Sequence, residues 1–507
     1  MEAPAYYKPL TEKIINVCGT EWGATKKAMR EAMRHEAFAD AVAKYKQTKR
    51  VTAESILKLC KPVMNRLSIE PEQGWLSYIY DYLASGLFFD EGFTETARRP
   101  AVGFFVTVYE WFLGLEDKKD FDLLTDVIEL DDEEIASSDI TEQYRQFKAA
   151  VSDSHYIALM RIGREIKSFD PASHTIGVHN VAVHTARLAK KAGLPVDVAL
   201  VSASALSHDI GKFGCRGKDA KRIPFLHYYY TWQWLTDCGM PTIAHIAANH
   251  STWDLEFENL QIESLILIYS DFRVRGLRDE NGIERVAIYT LNEAYQVIFD
   301  KLYDMTQEKA KRYKTVYAKL RDFERFLNSH GVTGKLDTDE LCEQDTRDFA
   351  LLTREESLDA LRDLTFENSI TLMHTLAKNE SFSELLEQAR SEKNLHKIRT
   401  YLTLFEEYST YMTRDSKLRT LSFLYELLMH REGDVRRNAA RIMGQILANS
   451  GPKYRKELPD GVRNKEITAP TVMALLEEST RLWDEYIGLC LHPDVKISAK
   501  HAQRIAN

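Results

Sequence analysis

The chain has 507 residues, of which 44% are hydrophobic and 28% are charged, with 23 glycines and 13 prolines. This length exceeds what one hydrophobic core normally serves and predicts two to four domains, and the scarcity of glycine and proline favours helices. The formal net charge of -9 argues against a general nucleic-acid-binding surface, which is normally basic.

Cysteine use and hydropathy favour an intracellular protein. The six cysteines are scattered without a C-x-x-C pair, which suits reduced cytosolic thiols better than a disulfide framework or a zinc knuckle. The N-terminal segment contains no apolar signal core, and no apolar run reaches the roughly 18 residues that a membrane span needs. We therefore expect a cytoplasmic protein without membrane attachment.

Residues 1–150 are predicted to form an N-terminal helical region. Segments 53–67 (AESILKLCKPVMNRL) and 74–89 (GWLSYIYDYLASGLFF) place apolar residues at the three-to-four spacing of amphipathic helices. The acidic stretch 116–139 (EDKKDFDLLTDVIELDDEEIASSD) is expected to be the solvent-exposed end of this region.

Residues 151–330 alternate helical patterns with short polar turns and form the second predicted domain. Segment 272–291 (FRVRGLRDENGIERVAIYTL) differs, because two β-prone runs flank Asn281-Gly282, a pair that favours a tight hairpin turn. The segment from 292 to 327 then returns to a strong helical pattern.

In the last third of the chain, residues 331–507, two segments begin alike. Asp434 and Asp494 are each followed by valine, a basic residue and an amphipathic helical pattern, and segment 415–429 supplies an antiparallel partner for the first. This pattern resembles HEAT-type helical repeats, which implies an α-solenoid that could hold a protein partner. Because the chain stops inside a repeat helix without a polar capping unit, we expect the native protein to continue beyond Asn507.

Histidines and aspartates follow a distinctive order between residues 174 and 271. Two histidines flank the motif HDIGK at some distance, a further histidine follows, and an aspartate ends the apolar run LILIYS. That order resembles the HD superfamily of metal-dependent phosphohydrolases. The resemblance implies an all-helical domain core and two divalent metals, with the ligands His174, His208, Asp209, His227, His250 and Asp271.

The chemistry of these residue types supports the same reading. A mixed imidazole and carboxylate set without thiolates suits Fe, Mn, Ni, Co or Zn. Between two such ions bridged by Asp209, a bound water becomes a hydroxide near neutral pH and can attack phosphorus. Asp209 and Lys212 are therefore predicted to be catalytic. Lys212, Arg216, Lys218 and Arg222 are predicted to bind the phosphate of the substrate.

Two histidines compete for the first ligand position, because His174 and His179 both precede a valine by four residues. We expect His174 to be the ligand, since the positions on its helical face are small and mostly apolar. Arg187 interrupts the corresponding face of His179. Asp170 or Ser173 would cap this helix and place His174 near its start.

Together these patterns predict an all-α protein, in which an HD core with a small β-hairpin lies between an N-terminal helical region and a C-terminal HEAT-like α-solenoid. The predicted activity is metal-dependent hydrolysis of a phosphoester or phosphoanhydride in a phosphorylated small molecule, for which we expect a nucleotide. The ligand set resembles that of dinucleoside tetraphosphate hydrolases and cyclic dinucleotide phosphodiesterases, although the Gly-Tyr-Pro motif of the latter is absent. The alternative is a nucleotide-sensing or inactive HD domain on a HEAT-repeat scaffold for a partner protein. A nuclease is disfavoured by the acidic charge balance.

Overall fold

A computed structural model describes the chain as helices joined by short turns. The residues described are 7–34, 36–45, 50–88, 96–116, 121–251, 260–278, 284–301, 307–342, 353–377, 379–409, 412 and 414–448. The chain divides into two compact units, one of residues 1–256 and 263–347 and one of residues 257–262 and 348–507. Residues on both sides of position 150 belong to the first unit, so the boundary predicted there falls inside it.

The first unit begins with amphipathic helices, and both helices predicted in this region are confirmed. Segment 53–67 forms a helix whose start is capped by Thr52, because the side chain of Thr52 accepts a hydrogen bond from the backbone N–H of Ser55. The apolar faces of these helices form a core around fully buried side chains such as Phe104 and Phe105. The helices are α1 (Tyr7–Thr20), α2 (Lys26–Met33), α3 (Glu36–Lys44), α4 (Ala53–Leu67), α5 (Trp75–Gly86) and α6 (Arg99–Leu113).

The next helices carry the conspicuous histidines. Their bounds are α7 (Asp132–Ala136), α8 (Thr141–Asp153), α9 (Tyr156–Ile166), α10 (Pro171–Lys191), α11 (Val198–Ser207), α12 (Ile223–Asp237), α13 (Pro241–Ala248) and α14 (Ile262–Arg273), with two short 3-10 helices at Ile210–Gly214 and Gly217–Arg222. Helices α10 and α11 pack against each other. Every residue of α11 is buried, because its sequence VALVSASALS is small or apolar on all sides.

The acidic segment 116–139 is exposed or half-buried over its described part, as expected, except at Asp126. Asp126 is 4% exposed and pairs with Arg50, whose Nη2 lies 2.8 Å from Oδ2 of Asp126. The side-chain amide of Asn180 on α10 donates to the carbonyls of Leu123 and Asp126 at 2.8 and 2.6 Å. The segment is held on α10 because its backbone acceptors find these buried donors.

One hairpin interrupts the helices of the first unit. Strands β1 (Val274–Arg278) and β2 (Glu284–Ile288) are antiparallel, with Val274 opposite Ile288 and Arg278 opposite Glu284. The Asn281-Gly282 turn lies outside the described residues. Helices α15 (Leu291–Lys301) and α16 (Gln307–Ser329) follow. In the described part of the chain these two strands form the only sheet, and the prediction of an all-α fold with a small β-hairpin is confirmed.

The second unit consists of paired helices in its described part. They are α17 (Arg354–Ala377), α18 (Asn379–Ser391), α19 (Leu395–Tyr408), α20 (Arg414–Leu427) and α21 (Gly433–Ala448). Helix α18 packs on α20, α19 packs on α21, and α20 packs on α21. Asp434 lies in the first turn of α21, where its Oδ2 is 2.8 Å from Nε of Arg399 on α19. The second segment of this type, at Asp494, lies outside the described residues, and the HEAT-like solenoid stays a prediction.

The apolar length of the helices and the state of the cysteines were also predicted from the sequence. None of the described helices combines the length and apolar character that crossing a membrane requires. The five cysteines within the described ranges are free thiols, and the sixth, Cys490, lies outside them.

Candidate metal centre

Helix α10 carries His174 in its first turn. The helix begins where the side chain of Asp170 accepts a hydrogen bond from the backbone N–H of Ser173, at 2.9 Å, so Asp170 rather than Ser173 is its cap. Nε2 of His174 lies 3.3 Å from Oδ2 of Asp209 and 3.3 Å from Oδ1 of Asp271. The first ligand position predicted from the sequence therefore faces both predicted carboxylates.

His208 and Asp209 lie at the end of α11, where the chain turns into a 3-10 helix. This turn is fixed to α12, because the hydroxyl of Thr231 donates to the carbonyl of His208 at 3.0 Å and accepts from the backbone N–H of Gly211 at 3.1 Å. A Cβ added at Gly211 would lie 1.9 Å from the carbonyl oxygen of His227. The glycine of HDIGK is thus required for the close approach of α12, which carries His227 towards Asp209.

Three histidines are held in one tautomer by their own backbone. Nδ1 of His208 lies 2.7 Å from the carbonyl oxygen of Ala205, Nδ1 of His227 lies 2.7 Å from that of Ile223, and Nδ1 of His250 lies 2.5 Å from that of Ala247. A carbonyl oxygen only accepts hydrogen bonds, so each Nδ1 must carry the proton. In the neutral ring the lone pair then lies on Nε2. Histidines that bind a metal through one ring nitrogen usually donate the N–H of the other ring nitrogen to an acceptor such as a backbone carbonyl.

The three Nε2 atoms face the interior of the site. Nε2 of His227 and Nε2 of His250 are 3.3 Å apart, and Nε2 of His208 is buried without a hydrogen-bond partner. Two lone pairs at this separation repel each other unless a cation lies near both, and a buried acceptor without a partner costs free energy. These observations on the protein alone fit a bound metal ion.

The donor atoms form two overlapping groups in which they lie within 4.8 Å of one another. One group is His174, His208 and Asp271, and the other is His208, Asp209 and His250. His227 adjoins them, with Nε2 3.6 Å from Oδ1 of Asp209. The fold thus brings all six predicted ligands together, and imidazole with carboxylate suits a first-row divalent metal.

No family model matches this chain, and no curated protein or solved structure matches it. The geometry of the donor atoms defines a mixed nitrogen and oxygen site in the interior of the first unit.

Both carboxylates are ionised in spite of their burial. Burial opposes ionisation of Asp209, but the charge of Lys212 and the hydrogen bond with His174 help to outweigh it, so that the pKa of Asp209 lies well below its usual range. Burial opposes ionisation of Asp271 in the same way, and the charge of Arg275 is the largest opposing effect that lowers its pKa. Two buried negative charges side by side are costly without cations, which again suits a metal site.

The pKa values of His174 and His250 shift in opposite directions. Burial favours neutral His174, but hydrogen bonds with Asp209 and Asp271 outweigh it and raise the pKa of His174. In the absence of a metal, a proton on His174 therefore supplies positive charge between the two carboxylates. Burial and the neighbouring imidazoles lower the pKa of His250 well below its usual range, which keeps its Nε2 lone pair available to a metal.

A pocket of about 420 Å³ opens beside this centre. Its lining includes His174, Asp209 and Lys212, together with Arg275 of β1, which the sequence analysis missed. Nη1 of Arg275 lies 3.8 Å from Oδ1 of Asp271, four residues earlier. The basic run Arg-Val-Arg after Phe272 was the sequence signal for Arg275. A strand that starts directly after the last predicted ligand, Asp271, must pass close to the site. The pocket therefore holds two cations next to the predicted metals.

The other predicted phosphate contacts lie elsewhere. Arg216 turns towards α5, where Nη1 contacts Oγ of Ser85 and Nη2 lies 3.4 Å from the carbonyl oxygen of Asp81. Lys218 is exposed on the second 3-10 helix, and Arg222 directly precedes α12. Among the four cations predicted to bind substrate, Lys212 is the one that lines this pocket.

His179 lies in the core and outside both ligand groups. Nδ1 lies 3.0 Å from Oδ1 of Asn180, Nε2 lies 3.0 Å from Oγ of Ser202, and 1% of the residue is exposed. An interrupted apolar face does not distinguish His179 from His174, because α10 is buried on almost all sides between Ala172 and Ala189. What separates the two histidines is the neighbouring element, since His179 faces the middle of α11 rather than its end.

Burial lowers the pKa of His179 to about 4 from an ordinary value of 6.5. The unfolded chain therefore binds this proton at a higher pH than the folded chain, and the stabilisation is present above pH 6.5 and is lost as the pH falls towards 4. We expect His179 to account for a loss of unfolding free energy on the order of 3 kcal/mol over this range. Urea titrations in chelator at several pH values should show a smaller pH dependence for His179→Gln than for the wild type, and parallel profiles would contradict this prediction.

Proposed function

We propose that this chain is a metal-dependent phosphohydrolase of the HD type, which cleaves a phosphoester or phosphoanhydride in a nucleotide. The observation that carries the proposal is the facing pair of Nε2 atoms on His227 and His250, 3.3 Å apart, with both Nδ1 protons committed to backbone carbonyls. A cation resolves that arrangement. Its neighbours are two ionised carboxylates and a pocket that carries Lys212 and Arg275, and cationic groups of this kind stabilise a reacting phosphate.

The six side chains would hold two divalent ions, for which Fe, Mn, Ni, Co and Zn are the candidates. His174, His208 and Asp271 form one set of donors, while Asp209 and His250 with His227 beside them supply the second. When bound, such ions acidify water and neutralise phosphate oxygens. Asp209 also lies 3.3 Å from Nε2 of His174 and would help to hold both ions.

Residues of the pocket would bind and orient the substrate. The ammonium group of Lys212 contacts Oδ2 of Asp209 and lines the pocket, so a phosphate near the carboxylate would meet its positive charge. Arg275 lies across the pocket near Asp271 and can pair with a second phosphate oxygen. Aromatic rings of Tyr80 and Phe213, whose centroids are 6.2 Å apart, supply an apolar wall suited to a nucleobase.

The proposal is tested by metal content and phosphate release. We expect the purified protein to hold close to two transition-metal ions per chain and to release phosphate or a nucleoside monophosphate from members of a nucleotide panel. Removal of the metal by a chelator should abolish turnover, and Mn, Fe or Co should restore it. Absence of metal above trace, together with no thermal stabilisation on adding these ions, would contradict the proposal.

A second candidate rests on the separate helical unit after residue 347. Its paired helices α18 to α21 are consistent with a HEAT-like scaffold that binds a partner protein, with the first unit acting as a cytoplasmic nucleotide sensor. The same assays distinguish this candidate. A sensor would be stabilised by a nucleotide and would release no product from it.

A further inference from the structure

A second pocket adjoins the catalytic pocket within the first unit. It has a volume of about 340 Å³ and shares four lining residues with the catalytic pocket: Phe169, Asp170, Glu284 and Val286. These residues belong to the start of α10 and to strand β2. The two pockets therefore meet at these side chains, and a ligand that extends past them would reach from one pocket into the other.

Three cations line this second pocket: Arg164 and Lys167, near the end of α9, and Arg285 of β2. Arg164 is 47% exposed and its Nε lies 3.1 Å from Oδ2 of Asp170. Lys167 is exposed, and its ammonium group lies 4.3 Å from the centroid of the Tyr80 ring. That contact holds the lysine at the junction, because Tyr80 lines the catalytic pocket.

The carboxylates of the second pocket are occupied by backbone donors. Oδ1 of Asp170 accepts from the N–H of Ser173 at 2.9 Å, and Oε2 of Glu284 accepts from the N–H of Asp170 at 2.8 Å. Oδ1 of Asp122 accepts from the N–H of Leu124 at 2.8 Å. These bonds satisfy one oxygen of each carboxylate, and Arg164 balances the charge of Asp170. The exposed ammonium group of Lys167 can meet an anionic ligand.

An aromatic side chain lies on the boundary of the two pockets. Phe169 lines both of them and is 39% exposed. A flat, exposed ring between Lys212 in one pocket and Lys167 in the other suits a planar base linked to phosphate on either side.

We propose that the second pocket binds a second phosphate group of the substrate, so that the substrate class is a molecule with two separated phosphates, such as a 5′-phosphorylated dinucleotide. This inference rests on the proposed function for the identity of the first pocket. The reacting phosphate would lie near Lys212 and Arg275, a base would lie on Phe169, and the distal phosphate would meet Lys167.

Direct binding tests this inference without turnover. Calorimetry on the protein as purified would compare an adenosine dinucleotide with a 5′-phosphate and a phosphorothioate linkage against adenosine 5′-thiomonophosphate, at fixed salt. We expect the dinucleotide to bind about tenfold more tightly than the mononucleotide. Lys167→Met should remove most of that difference and leave mononucleotide affinity unchanged, while Lys167→Arg should restore it. Lys58→Met, which alters an exposed lysine on α4, is the matched control.

The outcomes separate this inference from the proposed function. Equal affinities for the two probes, or a preference that survives in Lys167→Met, would overturn the second subsite even if nucleotides are hydrolysed. A preference that depends on Lys167 in a protein that releases no product would support the subsite and contradict the proposed hydrolase.

Discussion

Asp209→Asn should lower nucleotide hydrolysis by at least about a hundredfold, because even residues behind a metal ligand commonly contribute 10- to 100-fold. Asp209 approaches three of the other predicted ligands, with oxygens 3.3 Å from Nε2 of His174, 3.4 Å from that of His208 and 3.6 Å from that of His227. Asparagine keeps the size of the side chain and removes its negative charge. Turnover and metal content per folded chain are the measurements.

A second readout distinguishes loss of the site from loss of the fold. Adding Mn or Fe should raise the melting temperature of the wild type and leave that of Asp209→Asn nearly unchanged, since only the wild type binds the ion. Asp237→Asn, an exposed position at the end of α12, should behave as the wild type in both assays. Near-normal turnover in folded Asp209→Asn would show that the phosphate chemistry takes place elsewhere.

His174→Ala and His179→Ala should have different effects on metal binding, although the two residues are only about 1.4 turns apart on α10. His174→Ala removes a donor 3.3 Å from both carboxylates and should abolish metal binding and turnover together. His179→Ala should keep the metal and the turnover. It should lower the free energy of unfolding by about 1–3 kcal/mol, because it removes buried hydrogen bonds with Asn180 and Ser202.

Metal analysis and urea titration of the two variants decide the assignment. Loss of metal from a folded His179→Ala, with metal retained in His174→Ala, would mean that α10 is rotated from the orientation described above. Equal losses in both variants would indicate that α10 as a whole, and no single histidine on it, determines metal binding.

The types of residue and their order along the chain were enough to select the candidate ligands. His208-Asp209 at the end of a small, apolar helix and Asp271 after an apolar run are costly choices for a core unless they meet each other, and the fold brings them together. The hairpin was also predictable, because its β-prone runs are local. Both signals lie within short stretches of sequence.

The cations of the pocket were harder to predict, because their direction depends on distant elements. Arg216 lies four residues from Lys212, but it hydrogen-bonds α5, more than a hundred residues earlier in the chain. Arg275 enters the pocket because β1 starts directly after α14. Asp126 is buried by Arg50 and α10, which no local charge pattern indicates. Long-range packing of this kind is not encoded in residue spacing.

The hydrogen bonds from the three histidine rings to the backbone bear on when a metal would bind. Each ring takes its partner from a carbonyl three or four residues earlier, at Ala205, Ile223 and Ala247. The rings are therefore oriented by the helices themselves, unlike the ligands of small zinc domains that fold only around their ion. We expect the chain to mature in two stages, folding first as a preformed receptor and loading afterwards. Which ion it carries would then follow the supply of metals in the cell at the time of loading.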